Sequence, residues 1–71
     1  MRDYNVIIGS PVDYEELTAD IVINKEYIVR IQKEEGNGKM IVEFYEEPVK
    51  TKIYLTDFIE ALQDAQQLLT K

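Results

Sequence analysis

The chain contains neither cysteine nor histidine, and this absence constrains its fold more than any motif does. At 71 residues it is long enough for a single domain, residues 1–71. A chain of this size buries only about 60% of the surface that its unfolded form exposes. Small domains often add a disulfide or a zinc ion, but both usually rely on the residue types that are missing here. Packing alone must therefore hold the domain together.

The N-terminal third predicts one strand and one short helical turn. The strand is YNVIIG, residues 4–9, an apolar run with β-branched side chains that ends at a glycine. In the SPVDYEEL that follows, Ser10 is a candidate N-cap, Pro11 suits the first helical position, and Asp13 completes a pattern like a capping box. A helical turn is therefore expected between the first two strands.

The stretch TADIVINKEYIVRIQKEE, residues 18–35, predicts two antiparallel strands joined at Asn24-Lys25, because asparagine tolerates the positive φ of a tight turn. Two registers fit this hairpin. A three-residue turn lets alternate residues form the buried rows, which are Ala19, Ile21 and Ile23 opposite Tyr27, Val29 and Ile31. A two-residue turn aligns Val22 with Tyr27 instead, and the sequence leaves both registers open.

The C-terminal half predicts further strands and a helix. GNG at 36–38 predicts the next hairpin, and KMIVEFYE after it predicts a strand. One face of that strand carries Met40, Val42 and Phe44, and the other carries Ile41, Glu43 and Tyr45. After Pro48, TKIYL at 51–55 predicts another strand. From a predicted cap at Thr56, apolar residues recur every three and four positions, which predicts an amphipathic helix to the C-terminus.

Together these elements predict an α+β fold, with an antiparallel β-sheet of four to five strands in meander order packed by one C-terminal α-helix. An open sheet has edges that can pair with another strand. The candidate edge strands are YNVIIG and TKIYL. Homodimerisation through such an edge stays open.

The charge of the chain is acidic and unevenly placed. Residues 1–47 hold eleven acids against five bases, whereas residues 48–71 hold three of each. A net charge of −6 repels nucleic acid phosphates and anionic lipids, so a basic partner is expected instead. Solvation of an ordinary surface is the alternative explanation of any one acidic run. No apolar run is long enough for a membrane span or a signal peptide, which predicts a cytoplasmic protein.

Candidate catalytic groups are few. Adjacent carboxylates occur at Glu15-Glu16, Glu34-Glu35 and Glu46-Glu47, but neighbours on a strand point to opposite faces and acids beside turns are normally solvated. The stretch DYEELTAD lacks the spacing and the central glycine of a calcium loop. We therefore expect no enzyme activity, no metal ion and no cofactor.

The order of short motifs resembles a group of small bacterial immunity proteins encoded beside polymorphic and contact-dependent growth inhibition toxins. The resemblance is carried by SPVDYEEL, by the loop QKEEG with the strand VEF, and by the helical sequence TDFIEALQDA. It covers residues 10–70. The segment Met1–Gly9 lies outside it, and QKEEG stands where the group has a more compact loop of the type SQEDG.

The resemblance implies that the chain binds and neutralises one cognate toxin domain, with a basic nuclease as the expected class. Nucleases bind phosphate through Lys and Arg, so an acidic protein can occupy or neighbour that site. The expected contacts are acids and acid-flanked tyrosines, namely Asp13, Tyr14, Glu15, Glu16, Glu34, Glu35, Glu43, Tyr45, Glu46 and Glu47. The alternative function is a small acidic interaction module or regulatory subunit without a toxin partner.

Overall fold

The computed structural model describes residues 4–45 and 52–70, which form one sheet and one α-helix. The elements are β1 (Tyr4–Gly9), β2 (Thr18–Ile23), β3 (Glu26–Gln32), β4 (Ile41–Phe44) and α1 (Leu55–Leu69). Each strand pairs antiparallel with the next, in the order β1-β2-β3-β4. The predicted α+β meander with a C-terminal helix is confirmed, with four strands in the described part of the chain.

A two-residue turn joins β2 to β3. Asn24 and Lys25 have φ angles of 52° and 66°, both in the left-handed region that the tight hairpin turn requires. The turn places Val22 opposite Tyr27, which is the second of the two predicted registers. Asparagine adopts a positive φ readily and lysine does not, so the backbone at Lys25 is strained.

A β-bulge restores the other predicted register farther along the same hairpin. The pairing shifts between Ile21 and Val22, so that Ile21 lies opposite Val29. Ile28 has no partner in β2 and is the extra residue of the bulge. The bulge keeps the apolar residues of both strands on the same face, which a uniform register from a two-residue turn would not do.

The core lies between α1 and the middle of the sheet. Ile21 and Val29 are fully buried, at 0% exposure, in one apolar cluster with Ala61 and Ala65 of the helix, which are also at 0%. These two alanines and Leu69 are spaced four residues apart and so share one helix face. Burying one large aliphatic side chain contributes about 1.5 to 3 kcal/mol. The core therefore depends on a few strand residues that meet a helix face on which two alanines and Leu69 are buried.

The helix begins earlier than the sequence predicts, and the predicted strand TKIYL is wrong. Residues 52–54 have no strand structure, and Leu55 is the first residue of α1. The N-cap is Tyr54, whose carbonyl accepts a hydrogen bond from Phe58 N–H over 3.0 Å, so Thr56 lies inside the helix and does not cap it. Alternation over three residues also arises where a helix starts, which is why Ile53 and Leu55 suggested a strand.

Two predicted turns take different local forms. In SPVDYEEL no helix forms: Tyr14 N–H donates to the Pro11 carbonyl over 3.1 Å, and the chain then bends towards β2. A stretch this short cannot offset the cost of helix nucleation. The hairpin predicted at GNG joins β3 to β4, but its loop contains a 3-10 turn at Asn37–Lys39, preceded by Gly36 at a φ of 108°. Glycine suits that angle because it has no Cβ.

The helix covers the sheet unevenly. It packs mainly on β1 and β2, and at the far edge the β4 residues Val42 and Phe44 stay 40% and 74% exposed although they face the helix side. One edge of the sheet is therefore left without a cover from α1.

Within the described residues, no helix combines the length and the apolar character that a membrane crossing needs.

Candidate partner-binding face

The face of the sheet that points away from α1, called the outer face below, carries a row of paired residues. Ile7 lies opposite Asp20, Asp20 opposite Arg30, and Arg30 opposite Glu43, so one residue from each strand contributes to the row. Directly paired side chains on one face of a sheet lie about 5 Å apart and interact. The strands thus bring an acid, a base and a second acid together.

Asp20 and Arg30 form the centre of this row. Arg30 Nε donates to Asp20 Oδ1 over 2.8 Å, and Nη2 lies 3.4 Å from Oδ2. The hydroxyl of Tyr45, the residue that follows β4, donates to the same Oδ1 over 2.9 Å. The side chains of Arg30 and Asp20 are 28% and 14% exposed, so their charges are partly withdrawn from water. Partial burial of a carboxylate is costly unless it is paired and hydrogen-bonded, and these donors supply that pairing.

Tyrosine rings enclose the Arg30 guanidinium. Its central carbon lies 5.5 Å from the centre of the Tyr14 ring and 5.8 Å from that of Tyr45, distances within the range of cation–π attraction. The Tyr27 ring meets Tyr45 edge to face, with 5.7 Å between ring centres. The Tyr14 hydroxyl donates to Glu43 Oε1 over 2.6 Å, which ties the loop before β2 to β4.

A second acid fixes the same loop. The Glu34 carboxylate, in the turn after β3, accepts the backbone N–H of Glu15 over 2.6 Å and that of Glu16 over 3.0 Å. Bonds from two adjacent N–H groups to one carboxylate are charge-assisted and directional. This arrangement holds the acid-rich loop against the outer face, while the side chains of Glu15 and Glu16 remain exposed.

Hydrogen bonds and burial raise the pKa values of three groups in the network. Bonding to Asp20 holds the pKa of Arg30 above its usual value. Burial, followed by the bond to Asp20, raises the pKa of Tyr45 to about 12. The bond to Glu43 raises the pKa of Tyr14. At neutral pH both tyrosines are therefore neutral donors and Arg30 carries its full charge.

A shallow cleft of about 230 Å³ opens at the β4 end of this network. Its lining residues are Tyr14, Arg30, Glu43, Phe44 and Tyr45. The cleft combines aromatic walls with an exposed carboxylate, and Arg30 at its base is already compensated by Asp20. These groups suit contact with a cationic side chain, because an aromatic face and a carboxylate both attract cations.

The structure brings together part of the predicted contact set. Tyr14, Glu43 and Tyr45 belong to one network, and Glu34 holds the loop that carries Glu15 and Glu16. Asp13 and Glu35 are exposed in the two loops. Glu46 and Glu47 lie outside the described residues. That these residues contact a partner stays a prediction.

Sequence reasoning missed the two residues at the centre of the network. Asp20 interrupts the apolar run of β2, and Arg30 interrupts that of β3. A lone charge inside a strand with one buried face must lie on the other face, and opposite charges at matching positions of a hairpin indicate a pair. Because the sequence left the register of that hairpin open, it did not show that Asp20 lies opposite Arg30.

Within residues 4–45 and 52–70, no three carboxylates converge to hold a metal ion. Comparison of the chain with protein-family models, with curated proteins and with solved structures finds no match. Function must therefore be inferred from the residues and from the geometry of the outer face.

Proposed function

We propose that this chain is an immunity protein that acts in the cytoplasm and neutralises one cognate toxin domain by covering its basic surface. Its motifs resemble those of immunity proteins, and its outer face suits a basic partner. The proposed role is binding and occlusion, without catalysis. A nuclease is the proposed toxin class because its phosphate-binding site is basic.

The observation that carries the proposal is the charge balance of the outer face. Arg30 is the one basic residue in the four strands, and Asp20 already compensates it. Glu15, Glu16 and Glu43 are exposed around it, with the Tyr14 ring among them. An approaching basic surface therefore meets exposed carboxylates and an ordered tyrosine ring, which is the mixture that protein interfaces use.

Two effects would follow from this surface. Exposed acids steer a basic partner and raise the association rate, while each screened pair adds only about 0 to 1 kcal/mol of affinity. Ordered aromatic residues such as Tyr14 and Tyr45 supply contact area at low entropic cost, because the network already fixes their positions. The face is thus suited to fast binding through the acids and to retention through the tyrosines.

A growth assay tests the function directly. The candidate toxin is the C-terminal domain of the protein whose gene lies immediately upstream of the gene for this chain. It is expressed in bacteria with and without this protein supplied in trans. We expect growth arrest that this protein relieves and that an unrelated immunity protein does not relieve. Absence of arrest, or arrest that this protein fails to relieve, would contradict the proposal and favour the acidic interaction module without a toxin partner.

Charge variants test whether the outer face is responsible. Glu15→Gln with Glu16→Gln removes two exposed acids from the loop, and Glu26→Gln with Glu60→Gln removes the same charge from the helix side. The first variant should lower the association rate for the purified toxin domain about two- to tenfold at low salt. The control should leave that rate within twofold, because its acids lie away from the outer face. Equal effects of both variants would mean that net charge alone matters.

A further inference from the structure

In the part of the chain that the structure describes, β4 is an edge strand of the sheet. β3 lies on one side of β4, and within the described residues no strand pairs with its other side. Tyr45 N–H points to the Ile28 carbonyl, 3.5 Å away, in the direction of β3. Backbone groups alternate along a strand, so those of Val42 and Phe44 point to the open edge. This edge offers a template for a further strand.

The helix side of the same edge is apolar and open. Val42 and Phe44 are 40% and 74% exposed there, since α1 packs mainly on β1 and β2. Beside them lies a groove of about 200 Å³ between β4 and the helix. It is lined by Ile31, Met40, Val42, Leu62, Gln63 and Gln66. A strand added to β4 would lie about 5 Å away and could place side chains against this groove.

The outer side of the edge is acidic and aromatic. Glu43 is exposed on that side, and it lines the 230 Å³ cleft together with Tyr14 and Tyr45. Opposite charges on directly paired residues of neighbouring strands stabilise a sheet. A basic side chain in an added strand would therefore be favoured beside Glu43.

The opposite edge, at β1, is less suited. The helix packs on β1, and the Tyr4 hydroxyl of that strand bonds to the Asp64 carboxylate of α1 over 2.6 Å. An open edge is usually protected by charges, proline or a covering element. Of the four residues of β4, only Glu43 is charged, and it leaves three apolar residues beside it.

We propose that the β4 edge binds an extended segment of a basic partner protein, whose alternate side chains are apolar towards the groove and basic towards Glu43. This inference rests on the proposed function, for which it supplies the way in which the toxin is held. A second copy of this chain is the less suitable occupant, because two chains of net charge −6 repel each other. Main-chain bonds would give affinity, and the alternating side chains would give specificity.

The first arm of the test uses a capped nonapeptide of alternating lysine and valine as the probe. Amide hydrogen exchange, followed by NMR, should show the N–H groups of Val42 and Phe44 slowed by at least about tenfold when peptide is present at millimolar concentration. A peptide of the same composition in two blocks, and an alternating glutamate and valine peptide, should leave both amides unchanged. Unchanged exchange with the alternating lysine peptide, or slowing at β1 instead, would overturn the proposal.

Variants at the edge sharpen this arm. Val42→Pro removes a backbone donor of the open edge, and proline is tolerated on edge strands where the donor faces solvent. It should weaken peptide binding about tenfold, as expected for one lost hydrogen bond. Val42→Thr keeps the donor although it alters the groove, so it should bind more tightly than Val42→Pro. Should Val42→Pro not fold, Glu43→Lys reverses the charge and should weaken binding at least as much, with Glu60→Lys as its control.

The second arm uses the complex with the upstream toxin domain, so that the two proposals fail separately. Relief of growth arrest with slowed exchange at Val42 and Phe44 supports both. Relief of arrest with unchanged exchange at these amides overturns the edge proposal and leaves the immunity function standing. Without relief the function fails, and the peptide result alone decides on the edge. Slowing that depends on protein concentration without any probe would identify a second copy as the occupant and overturn the proposal.

Discussion

The helix-covered face and the outer face belong to the same strands but are stabilised by different forces. On the first, Ile21 and Val29 are fully buried in one apolar cluster with the alanines of α1. On the second, Asp20, Arg30 and Tyr45 are joined by directed bonds and stay partly exposed. Apolar burial is not directional, whereas a hydrogen-bonded ion pair depends on the position of each atom.

This difference assigns different tasks to the two faces. Burial of aliphatic side chains supplies most of the folding free energy of a small domain. A partly exposed network adds less to stability, but it orders the side chains that a partner meets. Substitutions on the helix-covered face should therefore lower stability, and those on the outer face should change binding with a smaller loss of stability.

The largest expected effect is on the helix-covered face. Ile21→Ala removes a fully buried side chain from the centre of the sheet and should lower the free energy of unfolding by about 3 kcal/mol. Ile7→Ala is the matched control, since Ile7 lies on the outer face and is 44% exposed. It should cost less than about 1 kcal/mol. Urea denaturation followed by circular dichroism measures both, and equal losses would contradict the contrast between the faces.

A smaller effect is expected from the ion pair. Asp20→Asn keeps the shape of the side chain but leaves Arg30 without its carboxylate, and it should cost about 2 kcal/mol. The control is Asp13→Asn, an exposed acid whose change should stay within about 0.5 kcal/mol. The same denaturation measurement compares them. A negligible loss for Asp20→Asn would show that the network orders the face without stabilising the fold.

The Tyr45 hydroxyl should contribute about 1 kcal/mol, because Tyr45→Phe removes one hydrogen bond to Asp20. Its pH dependence has a definite sign. The pKa of Tyr45 is raised from 10.0 to about 12, so the folded state keeps a proton that the unfolded state loses in this range. The contribution is thus complete below pH 10 and is lost as the pH rises towards 12.

Absorbance titration of tyrosinate and denaturation at several pH values test this. Tyr45→Phe should flatten the fall in stability between pH 10 and about 12, the range set by its two pKa values. Tyr54→Phe is the control, since Tyr54 is 75% exposed and lies outside the network. A fall that is unchanged in Tyr45→Phe would assign the effect to another group.

The smallest effect is expected at the two-residue turn between β2 and β3, Asn24-Lys25. Lys25 has a φ of 66°, and Lys25→Gly removes the strain and creates an Asn-Gly turn. The free energy of unfolding should rise by about 0.5 to 1 kcal/mol. Lys25→Ala keeps a Cβ at the same angle and should not bring this gain. A loss of stability in Lys25→Gly would mean that the lysine side chain contributes more than its strained backbone costs.

Much of the fold could be predicted from the sequence because the signals are local. A short apolar run predicted β1, alternation predicted the two faces of β4, and the spacing of apolar residues predicted α1. The predicted start of α1 and the predicted strand TKIYL were wrong, since three alternating residues cannot distinguish a strand from the residues that lead into a helix. Of the candidate site, the tyrosines and acids of the loop and of β4 were recognised individually, while Asp20 and Arg30 were not.

The sequence by itself determined the fold class, the acidic character and the position of the turn at Asn24-Lys25, each through short-range preferences of the residues concerned. Only the tertiary structure decided the register, because the bulge at Ile28 is selected by which side chains α1 can bury. The same selection places Asp20 opposite Arg30 and leaves β4 without a cover from α1. Contacts between residues distant in sequence depend on packing in three dimensions, which local patterns do not encode.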